Sequence, residues 1–195
     1  SVRQHTCTLE MVSRIWSGEH ITSQEFYPQF SKEYYRDRNA EISALYEKYA
    51  SIGISYGTQE DEVAGEQFYT HCVRILAGQW MLSQEHPAEA MRWATDAETL
   101  DGQMEWLYKK CNSKEKEYLE YVKECRKLGD SIYDSLTVQA ILHYEGCAGV
   151  NHFCKAFREW KKQNDMEAFY ECGLAAEHFS AADRALRETE KGIWK

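Results

Sequence analysis

Three residues that stand close together, His143, Glu145 and His152, are the best candidates for chemistry in this 195-residue chain. They lie in the stretch LHYEGCAGVNHF, around Gly146 and Gly149. Two imidazoles and a carboxylate can ligate zinc or iron, or pass a proton, provided the backbone brings them to one point. The wider pattern argues for a quieter role. A di-iron bundle carries Glu three residues before His on two helices, and none of the seven histidines has Glu at that spacing. HExxH, CxxC and glycine-rich phosphate loops are absent as well. Glu60, Asp61 and Glu62 are consecutive, which suits a helix start better than two sides of a cleft. The expectation is that the histidines are partly buried and hydrogen-bonded, with no metal, no cofactor and no self-contained active site.

Aromatic rings offer a second kind of site. Six Trp, thirteen Tyr and seven Phe make 13% of the chain, and exposed rings stack on sugars or on partner proteins. Phe26, Tyr27, Phe30, Tyr34 and Tyr35 are more rings than one helix stripe needs. Tyr34, Tyr35 and Trp194 are therefore the candidates for an interface or a sugar-stacking surface. The net charge of -9 comes from interspersed acidic and basic residues, so phosphate backbones and anionic membranes are poor partners. No run of about 18 apolar residues is available to span a bilayer. Seven cysteines, an odd number, fall mostly on apolar helix faces. They read as reduced core thiols from a reducing, cytoplasmic compartment, with export after signal removal as the alternative.

The elements that must position these groups are helical. Only two prolines occur in the whole length, and proline is the strongest helix breaker. Residues 1–22 read as a lead-in, with a short apolar patch at Leu9, Val12, Ile15 and Trp16. A long first helix is expected from Ser23 or Pro28 to Ile52, with Phe30, Tyr34, Ile42, Leu45, Tyr49 and Ile52 inward. Two glycines in GISYG end it, and Thr58 with Asp61 opens a second helix through Phe68, Cys72, Ile75 and Leu76. Pro87 starts a third, whose stripe runs Ala90, Trp93, Ala97, Leu100, Met104, Leu107 and Cys111. Asn112 and Ser113 read as a turn, Gly129 and Asp130 as a kink or restart, and Gly146 and Gly149 as another interruption. Asn164 and Asp165 cap the last helix. Its stripe of Ala168, Cys172, Ala175, Phe179, Ala182, Leu186, Thr189 and Ile193 is expected to pack on the Trp93 to Leu107 helix. Short connections make successive helices antiparallel neighbours. The fold class is all-α, an up-down antiparallel helical bundle of about six to eight helices over residues 23–195. Ile193 and Trp194, apolar after Gly192, suggest a piece of a longer polypeptide.

From Asp134 onward the text DSLTVQAILHY, then CGLAAEHFSAADRAL, then GIWK, resembles the helical domain behind the catalytic barrel of large glycoside hydrolases of the α-glucuronidase type. The likeness covers roughly residues 134–195, and Gly192, Ile193 and Trp194 stand where that family has a Gly-Lys-Trp turn. It implies a non-catalytic domain that braces the catalytic domain of the same longer polypeptide and walls one side of its sugar cleft. A stand-alone interaction or homodimerisation module, and a small-ligand or metal-binding bundle enzyme built on His143 and His152, are the alternatives.

Overall fold

The computed structural model describes residues 6–35, 39–52, 66–82, 91, 94–127 and 136–191. Among them are seven helices and no strand: α1 (Thr6–Trp16), α2 (Ser23–Tyr35), α3 (Asn39–Ile52), α4 (Glu66–Met81), α5 (Leu100–Lys127), α6 (Val138–Lys161) and α7 (Asp165–Lys191). The all-α expectation holds. The turn at GISYG, the Thr58 to Asp61 cap, Pro87, Trp93, Gly129, Asp130 and Trp194 lie outside the described residues.

Several boundaries differ from expectation, each for a local reason. The lead-in contains α1, which docks on α2 where Arg14 donates to Gln29 (2.9 Å) and reaches Glu33 (3.5 Å). What reads as one first helix is two, α2 and α3. The α2 start is set by a reciprocal cap: Thr22 N–H donates to Glu25 at 2.9 Å, while Glu25 N–H reaches the Thr22 hydroxyl at 3.3 Å. Donation from the Thr22 N–H and hydroxyl also holds the Glu25 carboxyl below its usual range. The third expected helix begins only at Leu100, where the Thr99 hydroxyl accepts from Gly102 N–H at 3.1 Å. Asn112 and Ser113 do not turn the chain; they are exposed polar residues inside the continuous α5. Gly146 and Gly149 do not interrupt α6 either, because both are buried in its packing face.

The core forms where α5 and α6 run antiparallel. Asp101 pairs with Lys161 (2.5 Å) and Glu105 with Arg158 (2.5 Å), and Tyr118 stacks on His143 at 4.9 Å. Leu107, Cys111, Tyr118, Tyr121, Cys147, Val150 and Cys154 fill the space between them. Tyr121 donates to the Leu45 carbonyl at 2.8 Å, tying α5 to α3, and Trp80 of α4 packs on Phe153 and Phe157 of α6. α7 packs on α6, not on the described part of the Trp93 to Leu107 segment, since the short turn at 162–164 folds the chain straight back. No other described helix shares more than a marginal contact with it.

That turn is a glycine-type helix stop built without glycine. Gln163 N–H donates to the Trp160 carbonyl (2.9 Å) and Asn164 N–H to the Glu159 carbonyl (3.0 Å), the paired pattern of a Schellman stop. It places Gln163 in the left-handed region at φ 63°, which costs a residue with a Cβ roughly 1–2 kcal/mol. Gln163→Gly is therefore expected to raise stability by about 1 kcal/mol, read as a higher urea midpoint at unchanged slope.

Candidate functional site

The sequence candidates separate on α6. His143 and Glu145 are two residues apart, about 200° around a helix, so they face opposite sides. His143 turns toward α5 and α3, packed between Tyr118 and Tyr49, whose ring lies 5.7 Å away. Burial there lowers its pKa to about 4, which keeps it a neutral packing group. Glu145 and His152 turn toward α7 and do come together, with two residues absent from the sequence proposal.

Those residues are Glu171 and His178. His178 Nδ1 meets the Glu145 carboxylate at 2.6 Å, and His152 Nδ1 meets the Glu171 carboxylate at 2.5 Å. The two imidazoles stack on each other, with centroids 5.2 Å apart and planes 11° from parallel. All four side chains are mostly buried. A searchable signal was present: Glu-x6-His occurs once on each helix, Glu145 to His152 and Glu171 to His178. Seven residues are close to two helical turns, so each pair lies on one face. Because the helices are antiparallel, each Glu then meets the other helix's His.

The chemistry open to this quartet is narrow. Each Nδ1 lies against a carboxylate, which orients the ring and leaves Nε2 as its remaining polar atom. Among the described residues no group of three or more His, Cys, Asp or Glu side chains converges as a metal site. The arrangement works as a clasp that sets the register of α7 on α6. Between the two pairs Ala148 and Ala175 are buried in the seam. Gly149 makes room for the Phe179 ring, since a Cβ there would lie 2.9 Å from its carbons.

Nucleophilic chemistry has no better footing among the described residues. All seven cysteines are free and six are buried. Burial pushes the Cys7, Cys72 and Cys154 thiols up to about 12 and Cys125 up to about 11, so they stay protonated and unreactive. Cys172, expected on the inner stripe, is exposed instead. The seam with α6 runs through Ala168, Glu171, Ala175 and His178, which leaves Cys172 beyond its rim.

The ring candidates also divide. Tyr35 is partly buried, with its hydroxyl 3.4 Å from that of Tyr46. Tyr34 is 47% exposed but stacks on Phe30 at 4.4 Å, so one of its two faces is taken. A further exposed apolar surface lies on α7, where neither motif nor ring clustering pointed. Met166 is 81%, Phe169 79% and Tyr170 58% exposed. Gly173, also exposed, has nothing within 4 Å of its Cβ position. Ala176 extends this outer face, opposite the seam.

No family model, curated protein or solved structure matches the chain. The likeness to hydrolase helical domains therefore rests on the quoted residues alone. No described helix is long and apolar enough to cross a membrane.

Proposed function

We propose that this chain is a non-catalytic helical interaction module that docks onto another folded protein through the outer face of α7. The observation that carries the reading is a helix of 27 residues held to the bundle along one side, with Met166, Phe169 and Tyr170 open to solvent on the other. Large apolar side chains cost free energy in water, about 25 cal/mol per Å² of apolar area, and gain it back when covered. Aromatic side chains in such a patch are the usual anchors of a protein contact. The bare surface at Gly173 leaves a shallow notch beside Phe169 and Tyr170, suited to an aliphatic or aromatic knob from the partner.

Raised thiol pKa values and a neutral His143 favour a scaffold over an enzyme. The accessory role implied by the hydrolase resemblance is one form of this reading, in which the docked surface belongs to a catalytic domain of the same polypeptide. The test is the double variant Phe169→Asp with Tyr170→Asp. Both positions are exposed, so its unfolding free energy should stay within about 0.5 kcal/mol of the wild type. Put in place of the natural chain at equal abundance, it should fail as fully as a deletion does. A double variant that replaces the natural chain without defect would remove the proposal.

A further inference from the structure

The inner face of α7 carries a separate inference, concerned with which copy of α6 it occupies. Three observations bear on it. First, α6 is the one described helix that α7 packs against to any extent, so among the described residues the seam with α6 is what lifting α7 away uncovers. Second, the turn holding α7 back on its own α6 is short and carries Gln163 at φ 63°, the one described residue other than glycine with positive φ. A short strained hinge of this kind favours exchange of the element it holds. Third, the seam carries specific residue pairs: Glu145 with His178, His152 with Glu171, and Gly149 with Phe179. A second copy presents the same partners in the same order.

We propose that α7 exchanges between two copies of this chain, the 162–164 turn opening so that each α7 seats on the other copy's α6 through those same pairs. The exchanged dimer keeps every contact of the seam and relieves Gln163. It also carries two outer α7 faces, so a partner that offers two sites would be held bivalently. The exchange does not depend on what covers the outer face, because it uses the opposite side of the helix.

The test mixes two variants, each damaged at the seam. Gly149→Leu fills the seat of Phe179, and Phe179→Ala empties it. In a mixed exchanged dimer, Phe179 of the first chain meets Gly149 of the second, which rebuilds the natural contact. The other seam brings the two substituted positions together, the introduced leucine against the introduced alanine, large against small. Analytical ultracentrifugation of an equimolar mixture, after a cycle of mild denaturation and refolding, should show a heterodimer that neither variant forms as strongly alone. In the wild-type background, Gln163→Gly should weaken dimerisation about tenfold, and Gln163→Val should strengthen it by a similar factor, as the left-handed turn is relieved or penalised. Monomers throughout the mixture would overturn the inference. So would a dimer whose strength ignores residue 163, since that is contact between intact surfaces. Phe169→Asp with Tyr170→Asp should leave the exchange unchanged, so loss of the docking role and loss of exchange are read independently.

Discussion

Between pH 7 and pH 4 the protein is expected to lose about 2–3 kcal/mol of stability through His143 alone. The ring is packed against Tyr118 at 4.9 Å, with its plane only 12° from parallel, and lies beside Tyr49. Loss of hydration lowers its pKa to about 4 from histidine's ordinary 6.5. Below 6.5 the unfolded chain takes up a proton that the folded chain refuses until about pH 4. Folding stability is thus complete above 6.5, falls as the pH drops through the interval, and levels off below it. Each pKa unit corresponds to about 1.4 kcal/mol. The retained sliver of surface at His143 reduces the full difference somewhat. Carboxylates titrate in the lower part of the same range, so the informative quantity is the contrast with His143→Phe, which keeps a ring against Tyr118. Urea midpoints at about pH 7, 5.5 and 4 should converge for wild type and variant at high pH and separate in favour of the variant at low pH. Parallel curves would mean that His143 is hydrated in the folded protein.

Gly149→Leu is expected to cost about 3 kcal/mol, the upper end of what overpacking does. The Cβ alone would come within 2.9 Å of the Phe179 ring, and the rest of the side chain would occupy the space of the ring itself. α6 has no room to retreat, because its far side is packed into the core through Cys147 and Val150 beside Leu107 and Cys111 of α5. The damage falls on α7, whose attachment is the seam. Amides of α7 should lose hydrogen-exchange protection while those around Leu107 and Val150 keep theirs. Adding Phe179→Ala to the same chain should restore most of the loss. Equal loss of protection across α5, α6 and α7 would show that α7 is not a separable layer.

How far the sequence was legible follows from what each signal measures. Proline scarcity and the four-three stripes announced helices, and the buried Met104, Leu107 and Cys111 follow that spacing. Breaks were harder to place. Asn112 and Ser113 look like a cap because their side chains compete for backbone groups, yet on the solvent face of a long helix they are tolerated. Gly146 and Gly149 look like flexible points, whereas both are buried and the missing side chain at Gly149 lets Phe179 approach. The candidate site was half visible. Glu145 and His152 stand out by their closeness in the sequence, whereas their partners Glu171 and His178 lie on another helix and do not have the Glu-three-before-His spacing of a metal site. A two-turn spacing repeated on facing helices marks a clasp instead. His143 is near Glu145 and His152 in sequence, but the turn of the helix carries it to the opposite face.

The most direct test of the docking role is hydroxyl-radical footprinting of the chain in its natural setting beside the purified chain. Met166, Phe169 and Tyr170 should be strongly labelled when purified and protected by about tenfold in the natural setting, with exposed Trp16 labelled alike in both as the internal reference. Equal labelling of the α7 face in the two settings would contradict the claim that another protein covers it.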